Sequence, residues 1–271
     1  MNHDNGARLT RDGIRIYQPS DFAGMHKAGE LAARILDEVA DLVFVGQATG
    51  VIDDFIRNRV EEAGATSATI GYKGYQHASC ISVNHVVCHG IPGEKKLKEG
   101  DILNIDVTVI VDGWFGDTSR MYVAGKLSRK AERLIQVTHD ALMKGIEAVR
   151  PGKTFGDIGH AIQTYAEAQR MSVVRDFCGH GLGRVFHAPP NVLHYGRAGT
   201  GPKLEEGMFF TIEPMINLGR PETKVLADEW TAVTRDKSLS AQFEHSVGVT
   251  ADGVDIFTLS PAGRFHPTYK D

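Results

Sequence analysis

Leu97-Lys98-Glu99-Gly100-Asp101-Ile102-Leu103-Asn104-Ile105-Asp106 has a counterpart about a hundred residues later, Leu204-Glu205-Glu206-Gly207-Met208-Phe209-Phe210-Thr211-Ile212-Glu213. Each is a Leu-x-Glu-Gly turn, then an apolar run, then a carboxylate. Short apolar runs bounded by a turn read as buried strands. An acid at the end of a buried strand is costly unless it is paired or binds a cation. The chain meets that cost twice, at matching positions. It is therefore expected to fold as two related halves that bring both acids to one centre, which makes it a candidate metal enzyme.

The rest of the chain repeats on the same scale. From Ser20 to Val45 the spacing of Leu31, Ile35, Val39 and Leu42 predicts an amphipathic helix, and Thr49 opens a second that runs to about Ala63 before Gly64. In the second half, Ser128 caps a helix to Val149, Pro151-Gly152 breaks it, and Thr154-x-x-Asp157 caps the next to about Met171. Each half reads helix, glycine-containing break, Thr-capped helix, strands. The 271 residues, 42% hydrophobic and 24% charged, are enough for a substantial core. A net charge of -4 gives no basic footprint for nucleic acid. No apolar run is long enough to span a membrane, and the polar start lacks a signal peptide's apolar stretch. Cys80, Cys88 and Cys178, an odd count with no Cys-x-x-Cys pair, fit a reduced cytoplasmic setting.

Ile102 to Val111 and Phe115 to Val123 read as strands joined by an Asp112-Gly113 hairpin. A period of two puts Asn104, Asp106 and Thr108 on one face, and Asp117 approaches Asp106 from the neighbouring strand. Two such acids repel unless a cation or a shared proton intervenes. His180 lies between glycines in Gly179-His180-Gly181-Leu182-Gly183, Glu213 precedes Pro214, and Glu244 precedes His245. Singly, these are a loop histidine, a strand-end acid and a solvent-facing acid. Their joint order points to a site.

Val87-Cys88-His89-Gly90-Ile91-Pro92, Asn104-Ile105-Asp106-Val107, Gly116-Asp117-Thr118-Ser119, Gly179-His180-Gly181-Leu182-Gly183, Thr211-Ile212-Glu213-Pro214 and Ser238-Leu239-Ser240-Ala241-Gln242-Phe243-Glu244-His245 stand in one order and spacing. In these motifs the chain resembles the type I methionine aminopeptidases of the pita-bread fold, in their short bacterial form, from about Ser20 to Thr250. The resemblance implies an α+β fold of two pseudo-symmetric halves, with helices packed on a curved antiparallel sheet. Residues 1–18 are expected as a flexible tail, 19–260 as a single catalytic domain and 261–271 as a second tail.

The resemblance places Asp106 on one divalent ion and His180 and Glu213 on the other, with Asp117 and Glu244 bridging. A hydroxide between the two ions is the implied nucleophile. Four carboxylates and an imidazole suit Mn²⁺, Fe²⁺ or Co²⁺ and tolerate Zn²⁺. Glu213 is the implied proton carrier, with His89 near the scissile nitrogen and His187 near the carbonyl oxygen. Tyr72, Tyr75, Cys80, Phe186 and Trp230 are expected around the first side chain, where sulfur–aromatic contacts favour a thioether by roughly 0.3–1.5 kcal/mol. A monovalent-cation loop for Na⁺ or K⁺ is implied at Asn84, Val86 and Ser240.

The implied activity removes the initiator methionine from peptides and nascent chains with a small second residue. The expected enzyme is a monomer, with transient ribosome association and no nucleic-acid recognition. Ala188-Pro189-Pro190 departs from the acids that many bacterial relatives carry there. A proline-specific pita-bread peptidase and a non-catalytic binding relative are the alternatives. The first usually carries an additional N-terminal domain, and the second typically loses ligands.

Overall fold

The computed structural model describes residues 8–265. Four helices carry the outer layer: α1 (Phe22–Glu38), α2 (Thr49–Glu62), α3 (Arg129–Glu147) and α4 (Phe155–Ala168). Eleven strands frame the site: β1 (Cys80–Val83), β2 (Val86–Cys88), β3 (Asp101–Val111), β4 (Trp114–Ala124), β5 (Gly179–Gly181), β6 (Ala188–Val192), β7 (Phe209–Ile212), β8 (Met215–Asn217), β9 (Ala232–Thr234), β10 (Ser240–Gln242) and β11 (His245–Val249). Every pairing among the described strands is antiparallel. The helices bury their apolar faces, Leu31, Ile35, Leu134, Ile135, Ile158 and Ile162 among them, in one core with the inner strand residues. At Gly116 a β-carbon would stand 2.3 Å from the Ala28 carbonyl carbon, so α1 lies directly on β4.

The repeat in the sequence is a repeat in hydrogen bonds. Gly46 N–H donates to Leu97 O as Gly152 N–H donates to Leu204 O, at 2.8 and 3.0 Å. Leu97 N–H donates to Gln47 O as Leu204 N–H donates to Lys153 O, at 2.8 and 2.7 Å. Both Leu-x-Glu-Gly segments make the same turn. Its carbonyls, Lys98 and Glu205, accept from Asp101 and Met208, and Gly100 and Gly207 take φ of 83° and 87°, a conformation that side chains disfavour.

Some local expectations change. The first helix ends at Glu38 and continues as a 3-10 turn, Val39–Leu42. Thr49 is not a cap: Ala48 occupies that position, and the Thr49 hydroxyl is tied to Gly93 instead. Ser128 caps α3 through Ala131 N–H, and the Asp157 carboxylate accepts from Thr154 N–H, as the spacing implies. The Asp112-Gly113 hairpin forms with both residues at positive φ.

Residues 8–18 are built into the fold rather than frayed. Arg8–Leu9 pairs with Arg15–Ile16, Ile14, Ile16 and Tyr17 are buried, and Tyr17 stacks on Phe209 at 4.5 Å. Apolar side chains, sparse in a polar segment, anchor it. At the other end, Ser260 and Arg264 bond to Asp37, while residues 266–271 and 1–7 lie outside the described residues.

The single sheet expected is broken into several. β7 pairs with β11 up to Ile212↔His245, and β8 pairs with β10 from Met215↔Gln242. Between them Glu213-Pro214 and Phe243-Glu244 leave the ladder. Pro214 has no N–H to donate, so the sheet cannot run through it. Freed from the ladder, Glu244 N–H donates to Ser119 O at 3.0 Å and so links β4, in the first half, to the second.

Candidate metal centre

The break in the sheet is where the acids collect. Asp106, Asp117, His180, Glu213 and Glu244 line one cavity of about 770 Å³. Asp117, His180 and Glu244 offer ligand atoms that all lie within 4.8 Å of one another. His180 Nε2 is 3.5 Å from Asp117 Oδ2 and 3.7 Å from Glu213 Oε1.

Each side chain is aimed by a named neighbour. On β3, Asp106 stands opposite Ser119 and Thr108 opposite Asp117, so the two acids face one side of the hairpin. Thr108 donates to Asp117 Oδ1 at 2.7 Å. His180 Nδ1 lies 3.2 Å from Gly181 O, and a proton on Nδ1 leaves the Nε2 lone pair toward the acids. The glycines around His180 admit the adjacent strands: a β-carbon at Gly179 would lie 2.4 Å from Thr211 O, and one at Gly181 2.2 Å from Pro189 O. Thr211 donates to Glu213 Oε1 at 2.8 Å and receives His180 N–H at 3.0 Å, and so ties two candidate ligands together.

The acids are crowded, with Asp117 and Glu244 buried and Asp106 and Glu213 half-buried. Burial, and then the charges of Asp117 and Glu213, hold the Asp106 carboxyl well above the usual carboxylate range. Glu244 is raised in the same way, by burial first and then by Asp117, Glu213 and Asp106. Glu213 is pushed up to about 7 by burial, with His180 opposing and Asp117 adding. Burial lowers the proton affinity of His180, yet its contact with Asp117 and the charge of Glu213 carry it above the ordinary value. Burial is the main cause of the raised carboxyls, and the negative charge of their neighbours adds to it. Asp106 Oδ1 is buried with no hydrogen-bond partner. An orphaned carboxylate oxygen among further oxygen donors and one imidazole nitrogen fits a hard divalent cation.

The proposed pocket residues stand around this group. Tyr75 and Trp230 rings are 4.9 Å apart, Tyr72 and Phe186 also 4.9 Å, and His89 lies 6.2 Å from Trp230. Cys80 pairs in register with Asp106, and burial raises its thiol pKa, so it stays a neutral wall. His187 stacks against Tyr72 at 5.1 Å and its ring is 4.2 Å from that of His180. Burial, then His180, lowers His187 to about 4, and burial lowers His89. Both are neutral near pH 7. Of the cation-loop residues, Asn84 O accepts from Ser240 N–H at 2.9 Å and Ser240 Oγ is buried without a partner, while Val86 pairs with Val233.

Sequence reasoning assigned no role to four supporting residues. Thr108 and Thr211 sit two residues from an acid on the same strand face, a signal the period of two carries. Gln242, whose Nε2 is 3.3 Å from Glu213 Oε2, lies within a quoted motif. His194 is fully buried and accepts Glu213 N–H at 3.1 Å, and nothing in its local sequence announces this.

The chain matches the model of metallopeptidase family M24 over residues 23–251. It is 58% identical over 257 residues to a methionine aminopeptidase of Rickettsia prowazekii, covering 94% of this chain and 99% of that protein. The crystal structure of the methionine aminopeptidase from that organism superposes with a TM-score of 0.90, covering 91% of this chain and 100% of the other. The Thermotoga maritima methionine aminopeptidase, 39% identical, gives 0.89 over 90% of this chain and 99% of that one. A prolidase from Pyrococcus horikoshii shares the fold alone, at 19% identity and a TM-score of 0.72 over 90% of this chain and 63% of its own. With its acids gathered at the broken sheet and the family model matched over residues 23–251, this chain belongs to metallopeptidase family M24.

Proposed function

We propose that the chain is a metal-dependent aminopeptidase that removes an N-terminal methionine, preferring a small second residue. The observation that carries this reading is the convergence of Asp117, His180 and Glu244 on one point of an aromatic-lined cavity that also holds the orphaned Asp106 oxygen. Asp106, Asp117, His180, Glu213 and Glu244 would hold two divalent ions, Mn²⁺, Fe²⁺, Co²⁺ or Zn²⁺. Such ions, when bound, supply Lewis acidity and make water nucleophilic near neutral pH.

The chain's own groups do the rest. Tyr75, Trp230, Phe186 and Cys80 bind the methionine side chain and exclude water. His89, half-buried, and His187, exposed on the cavity wall, are both neutral and offer hydrogen bonds to the scissile amide without competing for the ions. Glu213, with its raised proton affinity, is suited to take a proton at Oε2 and pass it to the leaving amine. Asn84, Val86 and Ser240 are proposed to hold Na⁺ or K⁺.

Cleavage of Met-Ala-Ser, Met-Leu-Ser and Ala-Pro peptides across a titration of each metal tests the assignment. Met-Ala-Ser should be cut fastest, and only with metal. Activity confined to the Ala-Pro peptides would replace this reading with a proline-specific peptidase. Metal binding without any cleavage would favour a non-catalytic relative.

A further inference from the structure

Beyond the methionine pocket, the cavity wall is nearly without basic side chains. Lys73 is the only lysine or arginine among the described lining residues. It sits in the short 3-10 turn Tyr72–Gly74 with φ of 46°, between Gly71 and Gly74 at φ of 83° and 89°. A side chain in that left-handed region costs about 1–2 kcal/mol, which the turn holds through Tyr72 N–H to Thr69 O and Tyr75 N–H to Tyr72 O. Strain held next to a site is an observation from which function is inferred.

The turn sets the position of the ammonium. Lys73 Nζ lies 5.3 Å from the centroid of the Tyr72 ring, and that ring lies 5.1 Å from the His187 ring. Among the described residues no carboxylate pairs with Lys73. Asp176, on the cavity wall, is occupied by the N–H and hydroxyl of Thr223. Asp12, on the turn of the N-terminal ribbon, lines the same cavity but makes no ion pair with Lys73 among the described residues. The wall from Ala188 to Asn191 is uncharged.

An extended peptide advances about 3.3–3.6 Å per residue. With its scissile bond at His187, the backbone of the third residue of a substrate lies roughly 5 Å farther out, within the span from the His187 ring across Tyr72 to Lys73. We propose that Lys73 reads the third residue of the substrate and favours an acidic side chain there. This rests on the aminopeptidase reading above and adds a subsite to it.

The test compares kcat/KM for Met-Ala-Asp-Gly-NH2 and Met-Ala-Lys-Gly-NH2, amidated so that only one side-chain charge differs. The wild-type protein should favour the acidic peptide by about two- to fivefold at low salt, the range of a solvent-exposed ion pair. The ratio should approach one in Lys73→Ala, invert in Lys73→Glu, and shrink toward one in about 0.5 M NaCl. Because each ratio is taken within one variant, general changes in activity divide out. A wild-type ratio of one, or a preference that persists in Lys73→Ala, overturns the proposal. Wild-type cleavage of Met-Ala-Ser-Gly-NH2 is the separate control: its absence would remove the aminopeptidase reading, and this proposal with it.

Discussion

At the scale of single residues, the site is a set of buried acids that are uncomfortable without a cation. Asp106 has an oxygen with nothing to bond to, and Glu244 is 3% exposed among three other carboxylates. Asp106→Ala and Glu244→Ala should each abolish metal uptake and activity. The loss should exceed the roughly 10–100-fold that follows removal of a group merely supporting a ligand. Metal content after dialysis, measured beside activity, checks this. His89 makes a different case. It lies against Phe177 and Trp230, at 5.6 and 6.2 Å, and is kept neutral by burial. His89→Ala should lower kcat by roughly 100-fold or more while the protein still binds its metal. A variant that loses metal would reassign His89 to the metal centre.

At the scale of elements, close strand approach decides where His180 points. β5 lies between β6 and β7, and the glycines on either side of His180 leave no room for a β-carbon. Gly181→Ala would push against the Pro189 carbonyl, at a cost of about 1–3 kcal/mol. Gly253→Ala meets only an ordinary 3.9 Å contact and should change stability by less than about 0.5 kcal/mol. Urea denaturation of the two variants checks the contrast, and Gly181→Ala should also weaken metal binding. The same elements show what local sequence could not settle. Thr49 and Thr154 both open helices, but Thr154 meets Asp157 while Thr49 is drawn to the Gly93 backbone of a distant loop. A cap is a local bond; a loop forty-four residues away is not legible in four residues of sequence.

At the scale of the whole molecule, metal and folding are linked, because the five side chains come from both halves of the chain. Saturating metal should raise the melting temperature of the metal-free protein, with a stabilisation of about 2.7 kcal/mol at a hundred times Kd. Asp106→Ala should show no such rise. The sign of the pH dependence follows from the raised carboxyls. Metal needs them ionised, Glu213 takes up a proton below about pH 7, and Asp106 and Glu244 are raised as well. Affinity should therefore fall as pH drops from 8 to 6, by up to about tenfold per unit for each proton displaced. Titration calorimetry at three pH values, with proton release read from buffers of different ionisation enthalpy, measures it.

The order of apolar runs, glycines and acids was enough to define two related halves, the hairpin that carries Asp106 and Asp117, and the residue types at the centre. Those features depend on turn chemistry and on the period of strands and helices, which act over a few residues. Their convergence was decided by the tertiary fold. Pro214 interrupts a ladder whose partner strand lies thirty residues on, Glu244 is released to Ser119 across the molecule, and His194 reaches the Glu213 backbone from another strand's end. The N-terminal ribbon is likewise held by distant partners, Tyr17 stacking on Phe209 while Ile14 and Ile16 are buried in the core. Burial and charge at a site are sums over neighbours distant in the chain, so the residues named the chemistry and their packing set its strength.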